Sequence, residues 1–139
     1  MIADEAMLKV VQQSVELPAS PADLYAMYLD SAAHAAFTGG GAAAISPVAG
    51  TEWSAFDGRI WGRVLALTPP RQIVQSWRSF EWQETELDAV LVLTFTPTGS
   101  ATRVDLVQAG VPGRLYDTLV SGWPARYWQP WQAYLEGRR

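Results

Sequence analysis

The stretch from Leu115 to Leu135 leaves this chain few ways to fold. It carries Trp123, Trp128 and Trp131 with Tyr116, Tyr127 and Tyr134, three of the seven tryptophans and three of the five tyrosines. Leu119, Trp123, Tyr127, Trp131 and Tyr134 follow one another at steps of four, four, four and three. That spacing puts them on one stripe of a C-terminal helix. A stripe this aromatic needs an apolar partner, and the strand-rich segment before it is the only one available. The expectation is a long helix lying across a curved sheet, with rings between the two. Two prolines interrupt the pattern. Pro124 is harmless if the straight part begins near Ser121, because first-turn amides have no intrahelical partner. Pro130 removes the bond to the Arg126 carbonyl and should bend the helix there.

Ahead of the helix the pattern is mostly strand. Residues 8 to 17 alternate, with Val11, Val15 and Leu17 on one side and Gln12, Ser14 and Glu16 on the other, while Val10 and Gln13 break the rule. Ser20-Pro21-Ala22-Asp23 is a helix start: a capping hydroxyl, a proline at the first helical position and an acid at the positive end of the dipole. Leu24, Tyr25, Met27 and Tyr28 supply its buried face. Asp30 or Ser31 caps a second short helix that runs to about Phe37 and stops at Gly39-Gly40-Gly41. Strands are expected at Ala42–Ser46 (a weak one), Thr51–Phe56, Arg59–Thr68, Arg71–Phe80, Leu87–Thr96 and Thr102–Ala109. Asp57-Gly58 and Pro69-Pro70 mark turns. The result is a single α+β domain over residues 1–139. Two short helices follow the first strand, and a curved antiparallel meander of about six to seven strands embraces the last helix.

Composition removes several functions. The formal net charge is −4 and there is no cysteine. No basic stripe suits a nucleic acid, and disulfides, zinc–thiolate sites, iron–sulfur clusters and cysteine nucleophiles are excluded. No secretory signal opens the sequence and no apolar run reaches membrane length, so a cytoplasmic protein without membrane contact is expected.

Strand alternation assigns Trp53, Ala55, Ile60, Val64, Ile73, Gln75, Trp77, Leu91, Leu93, Phe95, Val104 and Leu106 to the face that looks at the helix. Leu119, Trp123, Tyr127 and Trp131 lie opposite. Two readings fit these residues: an apolar ligand pocket with a few polar groups, or a fully packed core. Gln75 is an inner-face amide that needs a partner, whether a ligand, Tyr127 or a trapped water. A one-residue slip would instead turn Ser76 and Arg78 inward. His34, the only histidine, sits between alanines without metal-ligand or triad companions and is expected at a surface or helix edge. Gly39-Gly40-Gly41 lacks the context of a phosphate loop. Glu81, Glu84, Glu86 and Asp88 are expected as a solvated acidic connection. Arg63, Arg78 and Arg103 belong to the outer face, interleaved with Glu52 and Asp105. No cofactor and no metal are expected.

Several short motifs together carry a family resemblance. They are Ser20-Pro21-Ala22-Asp23-Leu24-Tyr25, Ala36-Phe37-Thr38, Gly50-Thr51-Glu52-Trp53 and Phe56-Asp57-Gly58 with Gly62. Leu67-Thr68-Pro69-Pro70-Arg71-Gln72-Ile73-Val74, Trp77-Arg78 and Gly122-Trp123 complete the set. In this order they resemble the activator-of-heat-shock-protein-90-ATPase family, part of the START-like superfamily with the helix-grip fold of the birch-pollen allergen. The resemblance runs from about Val10 to Leu135 and implies that fold, in a stand-alone bacterial member. The expected ligand pocket, taken from alternation and the helix stripe, is lined by Phe37, Trp53, Ala55, Ile60, Val64, Gln75 and Trp77, with Leu91, Leu93, Leu119, Trp123, Tyr127 and Trp131. Three functions are compatible: binding of a small hydrophobic molecule, stimulation of a chaperone of the heat-shock-protein-90 type, or a cyclase- or hydrolase-like enzyme. A monomer or weak homodimer is expected.

Overall fold

The computed structural model describes residues 7–137. Six strands form one antiparallel sheet in the order β1-β6-β5-β4-β3-β2. They are β1 (Leu8–Leu17), β2 (Glu52–Ala55), β3 (Ile60–Thr68), β4 (Gln72–Ser79), β5 (Ala89–Thr98) and β6 (Ala101–Pro112). The first two strands stand at opposite edges, so the chain must cross the molecule between them. It does so through α1 (Pro21–Tyr28) and α2 (Ser31–Thr38). Ser20 caps α1 by accepting from the Asp23 N–H at 3.1 Å. Asp30, not Ser31, caps α2, accepting from the Ala33 N–H at 2.9 Å. Gly39 ends α2 at φ 64°, a conformation that costs glycine little.

The segment expected as a weak strand at Ala42–Ser46 forms only an isolated bridge, Ala44 to Ser54. Its alanines offer a sheet little side chain to pack. The Asp57-Gly58 turn is wider than a two-residue hairpin. Ala55 pairs with Ile60, and Phe56, Asp57 and Gly58 all take positive φ, at 54°, 58° and 83°.

Every side chain assigned to the inner face is buried, and Gln75 and Leu91 are fully so. The ladder between β3 and β4 opens between the pairs Trp61–Arg78 and Val64–Gln75. Side chains fill the gap: the Ser76 hydroxyl accepts from the Arg63 N–H at 2.8 Å, and the Trp53 indole donates to the Ser76 carbonyl at 3.0 Å. Trp53 reaches that carbonyl across Gly62, its cross-strand neighbour. A Cβ on Gly62 would lie 2.0 Å from the Ser76 oxygen, so only glycine fits.

The C-terminal helix covers the concave face in three parts: α3 (Tyr116–Trp123), a wide π-type turn (Pro124–Trp128) and α4 (Gln129–Gly137). It starts five residues before the expected Ser121, so Pro124 falls inside it and the Val120 carbonyl loses its intrahelical donor. Gln13 supplies the replacement. Its amide nitrogen donates to the Val120 carbonyl and its oxygen accepts from the Trp128 indole, both at 2.8 Å. The residue that broke the alternation of β1 is thus the strut between that strand and the helix. The accommodation expected at Pro130 takes the form of the wide turn just before it, where the Gln129 N–H bonds back five residues to the Pro124 carbonyl.

Leu119, Trp123, Tyr127 and Trp131 face the sheet, all buried. Tyr134 does not complete that stripe: it is 36% exposed, and Leu135, another step of four along, is buried in its place. Phe37 of α2 stacks on Trp131 with ring centroids 4.1 Å apart.

Candidate functional site

One end of the space between helix and sheet is packed and the other is hollow. In the packed part, Tyr28, Phe37, Tyr127 and Trp131 surround His34 or one another at ring-centroid distances from 4.1 to 6.4 Å. His34 lies here, only 1% exposed, which corrects its expected place at the surface. Its Nδ1 is 2.7 Å from the Tyr28 carbonyl, which can only accept, so Nδ1 carries the proton. Nε2 is then the acceptor for the Tyr127 hydroxyl at 2.8 Å. The Tyr28 hydroxyl in turn donates to the Gln75 amide oxygen at 2.6 Å.

Burial holds this network in its neutral form. Desolvation pushes the His34 imidazole down to about 4, against the raising effect of the Tyr28 carbonyl. Desolvation pushes both tyrosine hydroxyls up, and the Gln75 hydrogen bond offsets only part of the effect at Tyr28. Neighbouring alanines gave no local sign of this histidine's burial, because its Tyr127 partner is 93 residues away.

The hollow part is a half-open cavity of about 220 Å³. The helix contributes Thr118, Leu119, Gly122, Trp123, Arg126 and Tyr127, successive positions on one face. Gly122 leaves open space above the sheet, since a Cβ there would touch nothing within 4 Å. The β2–β3 turn contributes Phe56 and Arg59, and the start of β3 contributes Ile60. Phe56, at positive φ, lays its ring over Gly40 and meets Tyr127 edge-on at 5.5 Å. The end of β4 contributes Trp77, Ser79, Phe80 and Glu81. Trp77 and Trp123 stand 6.1 Å apart, and the Trp123 indole donates to Gln108 at 2.9 Å.

Of the residues expected to line a pocket, Ile60, Trp77, Leu119, Trp123 and Tyr127 border this cavity. Phe37, Val64, Gln75, Leu91, Leu93 and Trp131 are buried in the packed part. Ala55 is buried behind the turn, and Trp53 closes the gap between β3 and β4. Sequence reasoning missed Phe56, Arg59, Arg126 and Gln108. Gln108 was legible, being the next inward position after Val104 and Leu106.

The outer-face charges pair as sequence reading placed them. Arg63 meets Glu52 at 3.4 Å and Arg103 meets Asp105 at 3.0 Å. The acidic connection is less free than expected. Arg78 holds Asp88 at 2.6 Å, and Arg114 holds Glu86, keeping that carboxyl below its usual range. Among the described residues no group of three or more His, Cys, Asp or Glu is placed to hold a metal ion, and no helix is long and apolar enough to cross a membrane.

A family model described as activator of Hsp90 ATPase homolog 1-like protein matches residues 18–136. The chain belongs to that family. Curated Hsp90-ATPase activator homologs are similar to it, at 28% identity over 116 residues in Dictyostelium discoideum and 27% over 110 residues in Homo sapiens. These alignments cover 83% and 79% of this chain but only 30% and 32% of those proteins. The chain thus spans about a third of the length of the curated relatives it matches. Solved structures share its fold. An HSP90 activator from Plasmodium falciparum superposes with TM-score 0.83 at 20% identity, covering 91% of this chain and 96% of that one. The Aha1 dimer from Colwellia psychrerythraea gives 0.78 at 12% identity, covering 94% and 99%. These likenesses confirm the antiparallel sheet around a long C-terminal helix as the helix-grip fold of the family.

Proposed function

We propose that this family member binds a small apolar molecule in the cavity between the helix and the β2–β3 turn. The observation that carries the reading is the cavity itself, about 220 Å³ walled by Trp77, Trp123, Tyr127, Phe56 and Leu119. For comparison, an apolar cavity of about 150 Å³ is large enough to take benzene. The space therefore suits one ring with a short substituent. The neutral His34–Tyr127 pair holds one wall rigid, with its polar atoms turned to each other and not to a guest.

Indole, naphthalene and toluene serve as probes, read by titration calorimetry. Saturable binding in the wild type, lost in Gly122→Leu, supports the reading, because that side chain would enter the cavity. No saturable response to any probe refutes it.

A second reading follows from family membership: interaction with a chaperone of the Hsp90 type. Its test is the ATPase rate of such a chaperone from the same source, with the domain added to saturation; an unchanged rate rejects it. The Colwellia relative is a dimer, and a weak homodimer here would show as concentration-dependent sedimentation.

A further inference from the structure

The charges at the mouth of the cavity define its guest further, on the small-molecule reading just given. Arg63, Arg78, Arg103 and Arg114 each hold a carboxylate. Arg59, Arg71 and Arg126 hold none among the described residues, although the chain carries an excess of acid, and Arg71 lies in the β3–β4 turn away from the cavity, which leaves Arg59 and Arg126. Both are exposed, and both line the same cavity, one from the β2–β3 turn and one from the helix.

Glu81 shares that rim, and its charge also acts on Arg114, whose guanidinium donates to the Glu81 carbonyl at 2.8 Å. Ser79 accepts from the Glu81 N–H at 3.2 Å, which leaves its hydroxyl proton free to be donated. Within the wall, the Trp77 indole N–H is buried and has no acceptor. Beside the Glu81 carboxylate the rim thus carries two unpaired cations, above an apolar floor.

We propose that the guest is an apolar acid: a ring or short chain under Gly122 and Trp123, with a carboxylate at the rim between Arg59 and Arg126. The planar guanidinium fork matches a carboxylate. Two arginines against Glu81 leave the rim with a net charge of one, which a monoanion neutralises.

The test compares phenylbutanoate, phenylbutanol and phenylbutylamine by titration calorimetry on the wild type and on the Arg59→Gln/Arg126→Gln double variant. Neither arginine has a structural partner to lose. In the wild type the acid should bind about tenfold tighter than the alcohol at low salt, and the amine weakest. The preference for the acid should shrink with added salt and vanish in the double variant, while affinity for the alcohol stays put. Equal binding of acid and alcohol by the wild type, or a preference that survives in the double variant, overturns the proposal and leaves the cavity reading intact. Failure of all three to bind overturns both.

Discussion

Acidification should destabilise this protein through His34 before Glu86 and Asp105 take part. In the folded chain burial holds the imidazole down to about 4, whereas the unfolded chain protonates it near the ordinary 6.5. Between those values the unfolded state binds a proton that the native state refuses, so stability is complete above 6.5 and falls as the pH falls toward 4. At pH 5 the unfolded chain is about 1.5 units below its own pKa, which at about 1.36 kcal/mol per unit removes about 2 kcal/mol. His34 is the only histidine. Interactions with Arg114 and Ser14, respectively, hold Glu86 and Asp105 below the usual carboxylate range, so their losses come at lower pH. Urea titrations at pH 7.5, 6.5, 5.8 and 5.0, followed by tryptophan fluorescence, read the effect. With a slope of about 2 kcal/mol per molar, the midpoint should drop by about 1 M across the series. His34→Gln, whatever its starting stability, should lose most of that dependence. A flat wild-type midpoint, or an equal drop in the variant, would refute the assignment of a buried neutral imidazole.

Gly62→Ala should destabilise by about 3 kcal/mol in chemical denaturation, because the added methyl collides with the Ser76 carbonyl and the Trp53 indole. Gln13→Leu should cost about 2 kcal/mol, leaving the Val120 carbonyl and the Trp128 indole unpaired, and should speed amide exchange through the wide turn. Gly122→Ala should raise stability by about 0.5–1 kcal/mol in a thermal melt, since the methyl meets open space and glycine is a poor helix former.

Much of this architecture could be read from alternation and spacing. The inward residues of β2 to β6 and the stripe from Leu119 to Trp131 follow from periods of two and about four, which local geometry enforces. What escaped were features made by distant partners. His34 among alanines carries no trace of Tyr127, and nothing near Arg126 or Arg59 announces that a helix and a turn bring them to one rim. Pro124 was placed in a first turn beginning near Ser121, whereas the helix begins at Tyr116, and a glutamine from the first strand absorbs the cost of the lost bond. Tyr134 was assigned to the stripe by a step of three, whereas Leu135 fits the step of four that its predecessors keep. Alternation likewise could not separate packed rings from hollow ones. Phe37 with Trp131 and Trp77 with Trp123 look alike in sequence, yet the first pair stacks at 4.1 Å and the second stands 6.1 Å apart beside the cavity.

The strut from Gln13 has a bearing on how the protein is made. Strand β1 pairs along its length with β6, Leu17 opposite Thr102 and Leu8 opposite Pro112. On the ribosome β1 therefore waits, both edges bare, until β6 has emerged behind it. Gln13 cannot engage both of its helix partners until Trp128 has been added, so the cup is sealed only after all six strands are made.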